Sequence, residues 1–211
     1  ELISGLGEVE VPGSVYDVVM RRVERTNEQD RDLLDWAAVL GQRLDVPLLT
    51  SLVGGTRLTV MKRLHALEQR YGLLSCDQNG FQFSHGKIRE ILYEELPPAL
   101  RRECHLVAGQ AIEELAGDDP DRYVYDLARH FVRAADRTRG FRYARLAADK
   151  AEEALAISEA ASYLAEALGF LREGDELGGG AEVEMELRHR HGRLLSLLGR
   201  LDEAREEFEA A

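Results

Sequence analysis

Residues 83–96, FSHGKIREILYEEL, begin with side chains that can bind an anion. The N-terminus of a helix carries unpaired backbone N–H groups and the positive end of the helix dipole, and both attract phosphate. Ser84 is predicted to be the N-cap and adds a hydroxyl, while Gly86 leaves the backbone open to close approach. Ser84, His85 and Gly86 are therefore candidate anion-sensing residues.

His85 is predicted to share one helical face with Ile88 and Leu92, beside the aromatic Phe83. Partial burial and the helix dipole both favour the neutral imidazole, which still donates one hydrogen bond to a phosphate oxygen. A core histidine bonded to a nearby carbonyl is the alternative interpretation. The residues alone favour the core histidine.

Residues 56–71 form a predicted helix that is basic within an acidic chain, whose net charge is −12. The segment has one acid and four cations, which are Arg57, Lys62, Arg63 and Arg70. These four are DNA-contacting candidates if the helix enters a major groove. The helix N-terminus has no Asn or Gln to contact bases, and the net charge opposes non-specific binding. A solvated or partner-facing surface is therefore favoured over a DNA interface.

No catalytic or metal-binding motif is found in the sequence. GxxxxGK[ST] and GxSxG do not occur, so no catalytic residue is assigned and the chain is not expected to be an enzyme by itself. No metal site is expected: Glu186 and His189 have the spacing of a di-iron motif, but only one copy occurs, and His65, His105 and His130 have no partners at ligand spacing. No cofactor is expected in the chain, since no phosphate-binding loop is present. The two cysteines, Cys76 and Cys104, indicate a reduced, cytoplasmic setting, and no apolar run is long enough to cross a membrane.

The elements predicted in the first half follow the order of a winged helix. Residues 1–11 are predicted to be a linker and 12–96 the winged-helix domain. A helix from about Glu28 to Gly41, a short helix at 46–53 and a helix capped by Thr56 lead into a β-hairpin. The hairpin is predicted from Asn79-Gly80 between apolar runs, as a type I′ turn.

The predicted helix at 56–71 has an apolar stripe that should face the core of this domain. The stripe consists of Leu58, Met61, Leu64 and Leu67. Their spacing follows the helical period, whereas the four cations lie off the stripe. This arrangement predicts one buried and one basic face.

Residues 97–211 are predicted to be a helical domain of paired helices that resembles a tetratricopeptide array. Helices are expected at about 121–135, 139–154, 157–172, 181–198 and 201–211. Two sets of residues share one spacing, 44 residues apart, namely Ala160, Leu164 and Ala167, then Ala204, Phe208 and Ala211. Gly192 and Gly199 precede the second set at tetratricopeptide offsets. Small residues allow paired helices to approach closely, and the larger residue fills the groove between them. Generic alanine-rich helical packing is the alternative, and the stretch GRLDEAREEFEAA favours the repeat.

The stretch FSHGKIREILYEELPPALRRECH resembles a recurring segment of STAND-type signal-transduction ATPases. The residues that carry this resemblance are Phe83, His85, Ile88, Arg89, Glu90, Leu92, Tyr93, Arg101, Arg102 and His105. LLDWAAVLGQRLDVPLL, residues 33–49, is also similar to the start of that family's winged helix. The resemblance covers roughly residues 12–172. It implies a mostly α fold, with a winged helix followed by an α-superhelical repeat array.

In related nucleotide-binding regulators, a histidine after the winged-helix hairpin belongs to a Met-His-Asp motif and contacts the β-phosphate of ADP. His85 matches that histidine, whereas Ser84 stands in place of Met and Gly86 in place of Asp. The resemblance therefore implies that these three residues sense nucleotide. It also implies ATP or ADP as the cofactor of the full-length protein, held by an ATPase module expected upstream of Glu1.

The function implied by the resemblance is that of a regulatory fragment of a STAND-type ATPase. Its winged helix would control the nucleotide state, and its repeats would bind an inducer, either a small molecule or a partner protein. Two alternatives stay open. One is a DNA-binding transcriptional regulator that uses the helix at 56–71, and the other is a tetratricopeptide-type interaction scaffold.

Overall fold

The computed structural model describes residues 15–117, 119–172 and 180–211. Over these ranges the protein is mostly helical, with eleven α-helices and one two-stranded sheet, which confirms the predicted mostly α class. The described residues form two compact units, divided between Pro97 and Pro98, which we call the N-terminal and C-terminal units. The predicted linker at 1–11 and the loop at 173–179 lie outside the described residues.

The N-terminal unit contains five helices and one hairpin. They are α1 (Val15–Val23), α2 (Glu28–Leu40), α3 (Val46–Val53), α4 (Arg57–Tyr71), β1 (Leu74–Asp77), β2 (Gly80–Phe83) and α5 (Gly86–Glu95). Three helices begin at side chains that accept a hydrogen bond from a backbone N–H three residues later. These N-caps are Asn27, Asp45 and Thr56.

The hairpin pairs β1 with β2 in antiparallel register, from Leu74 opposite Phe83 to Asp77 opposite Gly80. The loop is therefore Gln78-Asn79, so the prediction that Asn79-Gly80 forms the centre of a type I′ turn is wrong. The carboxylate of Asp77 accepts the Asn79 N–H at 2.7 Å, and Gly80 alone in this turn has a positive φ, of 107°. An Asx turn thus replaces the two positive-φ residues that a type I′ turn requires.

A segment between α2 and α3 extends the hairpin on its β2 side. Arg43 forms an antiparallel bridge with Gln82. The Leu44 N–H donates to the Phe81 carbonyl at 2.9 Å, and the Phe83 N–H donates to the Gln42 carbonyl at 3.0 Å. These bonds attach the hairpin to the end of α2 and fix the residues that precede α5.

The buried face of α4 differs from the predicted stripe. Val60, Leu64 and Leu67 are buried, whereas Leu58 is 63% exposed and Met61 is 39% exposed. Both sets fit a helical period because they share Leu64 and Leu67. The contacts of α4 with α3 and β1 decide which flank is covered, and they cover Val60.

The C-terminal unit is entirely helical within its described residues, apart from turns. Its helices are α6 (Pro98–Ala116), α7 (Val124–Arg133), α8 (Arg137–Glu153), α9 (Ile157–Arg172), α10 (Gly180–Leu197) and α11 (Leu201–Ala210). Successive helices pack on each other along the chain. Arg190 of α10 also donates to Asp149 at 2.6 Å and to Glu152 at 2.7 Å on α8, so these charges join neighbouring helix pairs.

Three of the turns in this unit close by the same pair of backbone hydrogen bonds. In each turn a residue with positive φ follows the helix, and the next N–H donates to the carbonyl five residues before it, which is the Schellman geometry. The positive-φ residues are Ala135, Leu155 and Gly199, with φ of 56°, 57° and 76°. Only Gly199 adopts this conformation without a side-chain penalty.

The helices of this unit form three consecutive pairs, α6–α7, α8–α9 and α10–α11, and in each pair an aromatic ring lies against a helical glycine. A Cβ atom on Gly109 would lie 2.9 Å from Cε1 of Phe131, and one on Gly192 would lie 2.8 Å from Cε1 of Phe208. The middle pair has the combination Ala148 and Leu164 at the spacing of Gly192 and Phe208, and both are fully buried. The smaller residue on one helix thus accompanies the larger one on the next.

We predict that Gly140→Ala destabilises the protein and that Gly169→Ala stabilises it. A Cβ at Gly140 would meet Cζ of the buried Phe170 at 2.6 Å, and overpacking of this kind costs about 1–3 kcal/mol. Gly169 is exposed in the last turn of α9, with no atom within 4 Å of a Cβ, so alanine should add about 0.5–1 kcal/mol. Urea unfolding followed by circular dichroism measures both. Equal effects of the two substitutions would contradict the packing described.

We predict that Leu155→Gly raises the free energy of unfolding by about 1 kcal/mol, because it removes the cost of a left-handed non-glycine residue. The Leu155 side chain is 79% exposed, so little packing is lost. Ala154→Gly is the matched control, since Ala154 has a φ of −81° and should lose stability as glycine. A loss of stability in Leu155→Gly would refute this explanation.

Candidate functional site

The predicted anion-sensing residues lie together at the start of α5, on the surface of the N-terminal unit. His85, not Ser84, occupies the N-cap position, and its side chain makes no capping hydrogen bond. The Ser84 hydroxyl donates to the Gly72 carbonyl at 3.1 Å, and its N–H donates to the Leu73 carbonyl at 3.1 Å. The prediction of Ser84 as N-cap is therefore wrong, because Ser84 is bound to the connection between α4 and β1 and the helix begins one residue later than predicted.

The prediction that the His85 ring lies on the buried face of α5 is also wrong. His85 is exposed, whereas Ile88 and Leu92 are buried. Its backbone is extended, with a φ of −143° and a ψ of 141°, so it lies outside the helical period that places Ile88 and Leu92 on one face. His85 and Gly86 are both exposed beside the first turn of α5.

The first turn of α5 presents backbone donors without a side-chain cap. Lys87 lies in this turn and forms an exposed ion pair with Glu90, at 2.7 Å. The Gln42 amide donates to the Phe83 carbonyl at 2.7 Å, which holds the residues before the helix against the end of α2. An anion at this position would therefore meet backbone N–H groups, an imidazole and an ammonium group.

Three of the four DNA-contacting candidates are exposed on α4, namely Arg57, Lys62 and Arg70. The fourth, Arg63, is largely buried and donates to the carboxylate of Asp30 at 2.9 Å. Because its charge pairs with α2 inside the unit, Arg63 is the least available of the four for a DNA contact. No local pattern indicates this pair, since the two residues are 33 positions apart.

The repeat-packing candidates are divided between buried contacts and the end of α11. Ala160, Leu164 and Ala167 are fully buried, and Ala204 is 2% exposed. Gly192 lies under Phe208, whose ring is 44% exposed, and Gly199 forms the turn before α11. Ala211 follows the end of α11 and is exposed, so its predicted packing role is wrong.

Two buried histidines that the sequence analysis did not predict meet between α6 and α7. His105 and His130 are both fully buried, with their Nδ1 atoms 2.9 Å apart. The Arg129 guanidinium lies 3.1 Å from Nε2 of His130, and because it only donates, His130 must accept there. The proton of a neutral His130 is therefore on Nδ1, from which it donates to His105.

Burial lowers the pKa of His130 to about 2, and the positive charge of Arg129 acts in the same direction. A histidine in water titrates near pH 6.5, so this ring stays neutral in the folded protein over the physiological range. The pair therefore acts as a polar contact between two helices. Its members are 25 residues apart, a separation that no local motif reveals.

A groove of about 370 Å³ lies between α7 and α9, and we call it the α7–α9 groove. Its walls include Tyr125, Arg129 and Arg133 of α7 and Glu159, Tyr163 and Glu166 of α9. The Tyr125 and Tyr163 rings stack at 5.7 Å between centroids, with an angle of 20° between their planes. The groove thus combines aromatic surface with charges of both signs.

Burial raises the pKa of the Glu166 carboxyl, and the nearby Arg133 charge partly opposes this change. Among the described residues none donates a hydrogen bond to Glu166 or to Glu159. In the same part of the chain, no group of three His, Cys, Asp or Glu side chains converges as metal ligands. No described helix is both long and apolar enough to span a bilayer.

Comparison with known proteins gave no match to a family model, to a curated protein or to a solved structure.

We predict that the stability of the protein falls as the pH is lowered below about 6.5, in part because of His130. The unfolded chain binds a proton near that pH, whereas folded His130 does not, so acid favours unfolding by up to about 1.4 kcal/mol per pH unit. Urea unfolding between pH 7.5 and 5 measures the slope. His130→Gln should flatten it, and His189→Gln, an exposed histidine on α10, should leave it unchanged. Equal slopes for wild type and His130→Gln would contradict this assignment.

Proposed function

We propose that this chain is the regulatory region of a STAND-type signalling ATPase. In this proposal the N-terminal unit is a winged helix that controls the nucleotide state of an ATPase module. The C-terminal unit is a tetratricopeptide-like repeat that binds an inducer or partner protein. The nucleotide is ATP or ADP, and the isolated chain binds neither appreciably, since its sequence has no P-loop.

The repeated close packing in the C-terminal unit is the observation that carries the proposal. Three helix pairs each place a bulky side chain at the position facing a small one, and three turns have the same hydrogen-bond pattern. Arrays of paired helices present extended surfaces for binding other proteins. Such an array supports a partner-binding role, either in a regulator or in a plain interaction scaffold, which is the second candidate.

The order of elements in the N-terminal unit supports the winged-helix assignment. A helix, a short paired segment, two helices and a hairpin follow one another as α2, residues 42–44, α3, α4 and β1–β2. This order is that of a helix-turn-helix variant with a wing. The α5 helix then begins directly after the wing, which gives His85 its position.

The surface of α4 favours a protein contact over DNA. Leu58 and Met61 are exposed beside Lys62, and apolar side chains of this size make poor phosphate contacts. Arg63 forms an ion pair with Asp30, so three of the four cations are exposed on this surface. The ATPase module is the partner proposed for this face.

We predict that His85→Ala, introduced into the protein that carries the ATPase module, speeds ADP release and raises basal activity. The substitution removes a hydrogen bond to a charged group that only the resting state would make, worth about 1.5–3 kcal/mol, and so shifts a two-state equilibrium by about tenfold or more. Release of a fluorescent ADP analogue measures it by stopped flow.

His189→Ala is the control, since His189 is an exposed histidine on α10 of the C-terminal unit and is not on the α4 face proposed to contact the ATPase module. Its ADP release should equal that of the wild type. Unchanged ADP release and basal activity in His85→Ala would remove His85 from the nucleotide site. The partner-binding role of the repeats would then stand alone, as in the scaffold alternative.

A further inference from the structure

The α7–α9 groove presents two carboxylates that are open to a ligand. The Glu159 and Glu166 carboxylates receive no hydrogen bond from the described residues. Glu166 is half-buried, and an ionised carboxylate that is half-buried without a donor is less stable than one in water, so a ligand that supplies donors is favoured. Glu159 is exposed and offers a second acceptor in the same groove. A cationic group with several N–H donors meets this need.

The cations that line the groove already interact within the protein. Arg129 donates to the Asp126 carboxylate at 2.9 Å, and the same nitrogen lies 3.1 Å from Nε2 of His130. The Arg133 charge acts on Glu166 and leaves Glu159 without a cation from these residues. The charged side chains that line the groove are three acids and two arginines, so its formal charge is −1.

The stacked tyrosines add a second attraction for a planar cation. A guanidinium group stacks on aromatic faces and binds a carboxylate with two parallel N–H donors. Tyr125 already attracts a cation within the chain, because Nζ of Lys150 lies 5.8 Å from its ring centroid. The other side of the same groove offers Tyr163 beside Glu166.

We propose that the α7–α9 groove binds an arginine side chain of an extended segment from a partner protein. The guanidinium lies against the tyrosine pair and donates to Glu166 and Glu159. This inference rests on the proposed partner-binding role of the C-terminal unit and names the chemistry that the partner must bring. The net charge of −12 on the chain also favours approach of a basic segment over an acidic one.

The experiment uses a display library of random nine-residue peptides, selected on the complete 211-residue chain. Wild type should enrich peptides with arginine at one fixed position. Replacing that arginine by citrulline, a neutral group of nearly the same shape, should weaken binding of the best peptide by about tenfold or more, since a charge-assisted bond is lost. Fluorescence anisotropy measures the affinity.

Variants assign the selected peptides to the groove. Glu166→Gln and Tyr163→Ala should each weaken binding of the best peptide, whereas Glu153→Gln, at an exposed acid on α8, should not. Circular dichroism checks that each variant is folded. Lysine enrichment equal to that of arginine would contradict the stacking argument, because ammonium has no planar fork.

The remaining outcomes separate the groove from the proposed function. Peptides that bind wild type and both groove variants equally would overturn the groove proposal, but the C-terminal unit would still bind partners at another surface. Enrichment of acidic peptides would overturn the charge argument. If no peptide of any composition is enriched, the partner-binding role and the groove proposal both fail.

Discussion

Close approach of paired helices is the constraint on which the C-terminal unit depends. Two antiparallel helices come near enough for a phenylalanine ring to lie on the backbone of Gly109, Gly140 or Gly192. Interiors pack at crystal-like density, so one extra methyl group at such a position has no empty space to fill. The middle pair, α8–α9, also has a second combination, with the buried Ala148 and Leu164 at the spacing of Gly192 and Phe208. These contacts therefore require a constant total side-chain volume and not one particular pair of residues.

The packing also determines where the polar groups lie. Once α6 and α7 approach closely, His105 and His130 are buried and must satisfy each other, and the proton positions follow from the arginine beside them. The stacking of Tyr125 on Tyr163 joins α7 to α9 in the same way. The candidate partner site is therefore a consequence of helix spacing, since its acidic and aromatic side chains come from two helices held at a fixed distance.

Local signals were sufficient to predict most helices, but not the contacts between them. Asn27, Asp45 and Thr56 each cap a helix by accepting a hydrogen bond from the backbone N–H three residues later. Because this bond is local, the sequence alone predicts the Thr56 cap correctly. Ser84 looks equally suitable, yet its donors bind carbonyls at Gly72 and Leu73, and the helix begins one residue later. The environment of Arg63 likewise depends on a long-range ion pair, with Asp30 on α2. The exposure of His85 and the α7–α9 groove depend on such pairing, which a single sequence does not encode locally.

A double-mutant cycle on Gly192 and Phe208 tests the packing constraint most directly. Gly192→Ala alone should destabilise the protein, because its Cβ would lie 2.8 Å from the ring. The double variant Gly192→Ala, Phe208→Leu reproduces the Ala–Leu combination of the middle pair, so it should recover most of that loss, with a coupling of about 1 kcal/mol or more. The free energies of unfolding of the four proteins give the coupling. Effects that add to within about 0.3 kcal/mol would contradict the account.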